Sequence, residues 1–295
     1  MSLWPAGPRR VLVVGIDGVR FDMLAQLHTP HLDSVADAGF LAPVMVDPAS
    51  PTLSGPGWAT ITTGVGVAKH GVYGNHLGGN RLDAFPDFTT RLAAVHRRRT
   101  LAVGGWEPLF LNREGGALFK GPSRLSYIAP REETPEAWEA CDDQVTAEAE
   151  FVLSIGDDPQ ASFVYLGATD ETAHFLGCGE EYRRAIARAD RRLGRLLAAV
   201  QSRPGYDSEQ WTVIVVTDHG HVQQGGHGGS SEAERTAWIA AQGPGIPSDQ
   251  DLLLPLQHAD VAAHVYASLD ITPDPHWALD GRPFAFATTP ELLST

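Results

Sequence analysis

Three Asp and three His stand in short stretches far apart in the chain, each at the end of an apolar run or in a Gly-rich turn. Asp17 lies in Val13-Val14-Gly15-Ile16-Asp17-Gly18, and Asp170 and His174 in Ala168-Thr169-Asp170-Glu171-Thr172-Ala173-His174. Asp218 and His219 lie in Val216-Thr217-Asp218-His219-Gly220, and His227 follows in Gly226-His227-Gly228. Carboxylate oxygens and imidazole nitrogens together suit Zn²⁺, and also Mn²⁺ or Fe²⁺. Asp170 and His174 are four apart, so a helix there would bring both side chains to one face. Two ions ~4 Å apart clamp the attacking and leaving oxygens of an in-line displacement.

A fourth stretch, Ser50-Pro51-Thr52-Leu53-Ser54-Gly55-Pro56-Gly57-Trp58, supplies a nucleophile. Ser54 sits in a Pro/Gly-rich bend that opens a short helix ending near Gly64. A plain N-cap is its structural reading. The same geometry also lets backbone N–H groups hold an anionic phosphate oxygen, while a metal lowers the serine pKa. Ser50, Thr52 and Thr60 are the competing hydroxyls. Each motif alone has an ordinary explanation, such as Asp-Gly as a common turn. Their combination at successive strand ends points to attack on a phosphate ester.

The elements that must position these residues read as an α/β chain. Val11–Ile16, rich in β-branched residues, and the apolar runs Phe163–Leu166 and Trp211–Val216 are of the kind that form buried parallel strands, and Leu101–Gly105 is a weaker fourth. Each metal motif then falls at the C-terminal end of a strand, where open α/β sheets place ligands. Glu180 to Val200 carries Tyr182, Ile186, Ala189, Leu193, Leu196, Leu197 and Val200 on one helical face, with Arg opposite as solvated surface. Thr134 to Leu153, Asp260 to Leu269 and a short segment from Pro30 read as further helices. Residues 77 to 131 lack clean periodicity and read as long loops around one strand and a short helix, forming a small lid.

A length of 295 residues with 43% hydrophobic content supports one domain over 1–295. The net charge of −14 argues against a nucleic-acid scaffold. An acidic chain still binds phosphate esters when metal cations supply local charge. Cys141 and Cys178 are too few for a disulfide framework and read as buried free thiols. No run approaches ~18 apolar residues, so neither a transmembrane helix nor a membrane partner is expected. Met1 to Arg10 lacks the apolar stretch of a signal peptide, which makes a cytoplasmic location the expectation.

With these residues in view, the chain resembles the alkaline phosphatase superfamily, and within it the type I phosphodiesterase/nucleotide pyrophosphatase family. The resemblance rests on Asp17-Gly18-Val19-Arg20, on Pro51-Thr52-Leu53-Ser54 as nucleophile turn, and on His70-Gly71-Val72-Tyr73-Gly74-Asn75. The Asp-x-x-x-His, Asp-His-Gly and Gly-His-Gly stretches complete it. It implies an alkaline-phosphatase-like three-layer sandwich, a mostly parallel sheet with helices on both faces. It further implies two divalent ions, most simply Zn²⁺, one on Asp170, His174 and His227 and one on Asp17, Asp218 and His219. Ser54 would form a covalent phosphoserine intermediate, Asn75 and the Gly55 N–H would bind phosphate oxygens, and Tyr73 could stack on an aryl or base group. The substrate would be a small phosphate ester.

Three departures bear on the substrate: Ser stands where the phosphodiesterase branch has Thr, only eight residues separate His219 from His227, and Trp58 is large for its position. A phosphomonoesterase or phosphonate hydrolase is therefore the alternative, and a catalytically idle metal-binding homologue a second. A sulfatase is disfavoured because Ser54-Gly55-Pro56-Gly57-Trp58 lacks the Arg of a Cys/Ser-x-Pro-x-Arg motif; a phosphomutase would need a larger cap. Arg20 is read as surface or ion-paired. His70, His76 and His221 lie near the motifs as supporting groups, and His28, His31, His258 and His264 read as structural or exposed. Trp106 and Phe110 fit packing better than substrate stacking.

Overall fold

The structure, a computed structural model, describes residues 7–113, 115–154 and 158–285. One seven-stranded sheet runs through it in the order β2-β7-β6-β1-β5-β3-β4. The strands are β1 (Arg9–Ile16), β2 (Gly39–Met45), β3 (Thr100–Gly104), β4 (Arg124–Tyr127), β5 (Ala161–Leu166), β6 (Gln210–Val216) and β7 (Thr236–Gln242). β7 alone is reversed, pairing antiparallel with both β2 and β6, while the other pairs are parallel. The expected runs are thus β1, β5, β6 and β3; β2, β4 and β7 are additional.

Alternation along the strands divides the core between two faces. Val11, Val13, Phe163 and Ile214 pack with Trp58, Ile61, Phe88, Leu92, Val261 and Val265. Those partners come from the helices Ser54–Thr63, Phe88–His96 and Asp260–Ser268. Leu12, Val14, Val164 and Val215 pack on the other face with Leu32, Val35, Val145, Val152, Leu193 and Leu196. These belong to Pro30–Asp37, Pro135–Ser154 and Glu180–Gln201. Each fully buried aliphatic side chain contributes about 1.5–3 kcal/mol. The result is the expected mostly parallel sheet with helices on both faces.

The Arg-rich face of Glu180–Gln201 corrects the reading as solvated surface. Arg188 pairs with Glu139, Arg192 with Glu139 and Asp143, and Arg195 with Glu150, all on Pro135–Ser154. The face is a charged seam between two helices, and Arg192 is buried in it.

Residues 77–131 are built into the sheet. They supply β3, β4 and the helix Phe88–His96, and Leu77, Leu82, Leu109, Phe110, Leu118 and Phe119 enter the core. Cys141 and Cys178 are free and buried. Among the described residues, no helix is long and apolar enough to cross a membrane.

Candidate active site

Parallel register places the first carboxylates side by side. Gly15 pairs with Tyr165 on β5 and with Val216 on β6. Two residues further on, Asp17 and Asp218 emerge together from adjacent strand ends. The Gly18 N–H donates to Asp218 Oδ1 at 3.3 Å. Gly18 has φ +66°, and a Cβ there would stand 2.5 Å from Asp170 Oδ1, so this turn requires glycine.

Asp170 enters from the first turn of the helix Ala168–Leu176, which follows β5 directly. The four-residue spacing aligns it with His174, whose Nε2 lies 3.3 Å from Asp170 Oδ2. Asp142 fixes the start of this helix: its carboxylate accepts from the N–H groups of Gly167 and Ala168, both at 3.0 Å. His227 is oriented through its far nitrogen, with Nδ1 donating to the Thr52 carbonyl at 2.7 Å. His219 Nδ1 likewise donates to the Gly220 carbonyl at 3.1 Å. Both rings therefore turn Nε2 toward the carboxylates.

The structure brings the six residues into two adjacent groups, with the His219 and His227 rings stacked against each other. One holds Asp170, His174 and His227; the other holds Asp17, Asp218 and His219. Within each group the donor atoms lie within 4.8 Å of one another. His219 Nε2 stands 3.3 Å from Asp218 Oδ2 and 3.6 Å from Asp17 Oδ1.

The donor set fits divalent cations. Asp17 Oδ1, Asp170 Oδ1 and Asp218 Oδ2 are buried oxygens without a hydrogen-bond partner. Buried carboxylates this close together demand compensating positive charge. Burial, and then the charge of neighbouring carboxylates, pushes the Asp17 and Asp218 carboxyls up. Burial also acts upward on Asp170, but the imidazoles of His174, His221 and His227 outweigh it and hold that group low. The hydrogen bond to Asp170 in turn raises His174 to about 9, while burial lowers His219 and His227.

Ser54 is the first residue of Ser54–Thr63, with Leu53 at the N-cap position. It is not the N-cap, so its hydroxyl is not spent on the helix; Oγ lies 3.3 Å from His219 Nε2. The competing hydroxyls are engaged elsewhere. Ser50 donates to the Pro51 carbonyl, Thr60 to that of Pro56, and Thr52 to that of Gly229. Thr52 Oγ1 also accepts from the Gly228 N–H at 2.9 Å, which ties the turn before Ser54 to the loop bearing His227. Gly57 lets the helix approach Asp218, since a Cβ there would be 2.8 Å from the Asp218 Cβ.

One sequence reading changes. The Gly55 N–H, expected to bind phosphate, donates instead to Asn75 Oδ1 at 2.9 Å. That bond consumes the Gly55 donor and leaves the Asn75 NH₂ as the donating end of the pair. Tyr73 is 56% exposed and so is not a core residue. His70 braces this loop: its Nδ1 accepts from the Val72 N–H, and its Nε2 meets Thr60 Oγ1 at 3.0 Å. Arg20 is paired, with Asp22 and Gln223. Phe110 is buried in the core, and Trp106 stacks on Tyr165.

Two supporting residues had no distinct signal in the sequence. The Trp58 Nε1–H donates to Asp17 Oδ2 at 2.9 Å, and the Tyr165 hydroxyl donates to the same oxygen at 2.8 Å. Both sit in segments that read as core.

The sheet order and strand-end cluster define an alkaline-phosphatase-like α/β fold, and solved structures agree. A 2-O GAG sulfatase matches with a TM-score of 0.70 at 15% identity, covering 92% of this chain and 72% of that one. Murine ectonucleotide pyrophosphatase/phosphodiesterase 5 matches with a TM-score of 0.66 at 17% identity, covering 91% and 97%. The family model for type I phosphodiesterase/nucleotide pyrophosphatase matches residues 11–228, and the chain belongs to that family. Ectonucleotide pyrophosphatase/phosphodiesterase family member 7 from Homo sapiens is 26% identical over 234 residues, 72% of this chain and 47% of that protein. The Rattus norvegicus protein of the same name is 26% identical over 229 residues, 72% of this chain and 49% of its own length. The chain thus spans about half the length of these curated relatives.

Proposed function

We propose that this chain is a two-metal hydrolase of small phosphate esters, with diesters preferred to monoesters, acting through a phosphoserine intermediate on Ser54. The observation that carries the reading is the position of the Ser54 hydroxyl. Of Ser50, Thr52, Ser54 and Thr60, it is the one held at the Asp/His cluster, 3.3 Å from His219 Nε2.

Asp170, His174 and His227 would hold one ion, and Asp17, Asp218 and His219 the other. The donors suit Zn²⁺ best, with Mn²⁺ or Fe²⁺ also compatible. Two divalent ions here would offset the buried carboxylates and stabilise charge on the phosphate oxygens.

Ser54 Oγ attacks phosphorus in line, the bond to the leaving alcohol breaks, and water later cleaves the phosphoseryl ester. The Asn75 NH₂, oriented by the Gly55 N–H, donates to a non-bridging oxygen. Trp58 and Tyr165 hold Asp17, and Thr52 holds His227, so the cluster is fixed before substrate arrives.

The preference for diesters follows from charge. Asn75 is a neutral donor, and Arg20 is bound to Asp22 and Gln223. A singly charged diester needs less positive charge from the pocket than a doubly charged monoester. The test is turnover of bis-p-nitrophenyl phosphate beside p-nitrophenyl phosphate, with Zn²⁺ or Mn²⁺ restored after chelation. Faster diester turnover, abolished in Ser54→Ala with metal content unchanged, is expected. Faster monoester turnover moves the chain to the phosphatase alternative, and turnover untouched by Ser54→Ala removes the nucleophile assignment.

A further inference from the structure

We infer that His221 is a direct metal ligand, a seventh protein donor that shares its ion with Asp170. The inference rests on the two-metal reading above. His221 is fully buried two residues beyond His219. Its Nε2 lies 2.8 Å from Asp170 Oδ1. That close pair lacks good hydrogen-bond alignment: neither His221 Nε2 nor Asp170 Oδ1 has an aligned hydrogen-bond partner, and His221 Nδ1 has none.

Other buried histidines keep at least one nitrogen bonded, although His264 Nε2 is also without a partner. His70 is bonded to Val72 and Thr60, His258 to the Thr217 carbonyl, and His264 to the Phe284 N–H. A buried imidazole with neither nitrogen satisfied is costly, and coordination gives Nε2 its partner. The spacing suits that role. Donors bound to one ion at about 2.0–2.2 Å stand roughly 3–3.6 Å apart, from octahedral to tetrahedral angles, and aim at the ion rather than at each other. His174 Nε2 and His227 Nε2, in the neighbouring group, are 2.9 Å apart.

His221 also joins the two groups. Its donor atom forms a close set with those of Asp170 and His219, all within 4.8 Å. Asp170 belongs to one expected centre and His219 to the other. Gly18 preserves the approach, because a Cβ there would lie 2.5 Å from both His221 Nε2 and Asp170 Oδ1.

The experiment uses the full chain, labelled with ¹⁵N-histidine and loaded with ¹¹³Cd²⁺. Long-range ¹H–¹⁵N spectra count the imidazole rings whose nitrogen couples to cadmium. Four coupled rings are expected: His174, His219, His221 and His227. Three coupled rings overturn the inference and leave His221 as a neighbour of Asp170. No coupled ring removes the two-metal reading itself, so the two failures are distinct. The His221→Ala spectrum assigns the fourth signal, and because the count is made on the unmodified chain, the test does not depend on that variant folding. Where His221→Ala folds, its metal affinity should fall beyond the about 10–100-fold that loss of an orienting neighbour produces; a smaller loss counts against direct ligation.

Discussion

Trp58 and Asp17 are joined by a hydrogen bond of 2.9 Å from the indole N–H to Oδ2. This bond links the helix Ser54–Thr63 to the end of the first strand, one helical turn beyond Ser54. Tyr165 saturates the same oxygen, so Oδ1 is the atom left facing His219. Trp58→Phe keeps most of the buried ring and deletes the donor. Metal affinity should fall about tenfold, and stability by about 1–3 kcal/mol. Competition with a chelator and urea unfolding measure the two effects. Unchanged metal affinity would show that Asp17 is held well enough without Trp58.

Asn75 and Gly55 make a second pair whose roles can be separated. Asn75→Ala removes the amide and strands the Gly55 N–H, and kcat/KM should fall about 10²–10³-fold. Asn75→Asp keeps an acceptor for Gly55 but turns an oxygen toward the phosphate. Its kcat/KM should fall at least as far while thermal stability stays near that of the parent. If Asn75→Asp retains full activity, Asn75 is a brace for the helix start and not a phosphate donor.

The residues legible in the sequence were those whose surroundings announce themselves locally. β1, β5 and β6 carry continuous apolar runs, and their C-terminal ends bring Asp17, Asp170 and Asp218 to the same end of the sheet. β2 was hidden by Pro43, β7 by its Ala-rich Thr236–Gln242 sequence, and β4 by its four-residue length. Trp58 and Tyr165 could not be told from core residues, because their apolar bodies are core. Only the register shows that their polar tips reach Asp17. The Arg face of Glu180–Gln201 misled for a related reason: its partners, Glu139, Asp143 and Glu150, lie on a helix distant in sequence.

The metal-free site should make ion binding depend on pH. His174 is raised from 6.5 to about 9 by its hydrogen bond to Asp170. In the metal-free chain the protonated pair therefore stabilises the fold fully below 6.5, and that contribution is lost as pH rises through about 9. A metal requires the neutral ring, so binding must expel the proton. Asp17 and Asp218, also raised, add to this release. Apparent affinity should climb about tenfold per pH unit for each proton released, up to about pH 9. Chelator competition across that range provides the slope, and a flat profile would mean that His174 binds no proton in the free site.

Asp142 acts on the site from a distance. It sits on Pro135–Ser154, yet its carboxylate receives the Gly167 and Ala168 N–H groups that begin the helix carrying Asp170 and His174. Arg192 Nη1 stands 3.9 Å from Asp142 Oδ2, which couples the charged seam to the same point. Asp142→Ala leaves two buried N–H groups unmet and strips Arg192 of a neighbour, for a loss of about 2–4 kcal/mol. Asp142→Asn retains one acceptor and should lose roughly half as much. Both variants should bind metal more weakly, Ala more than Asn, because Asp170 and His174 move with their helix. Metal titrations run beside thermal melts separate the effects: weaker melting with undiminished metal binding would confine Asp142 to the fold, leaving the ligand helix positioned by its packing alone.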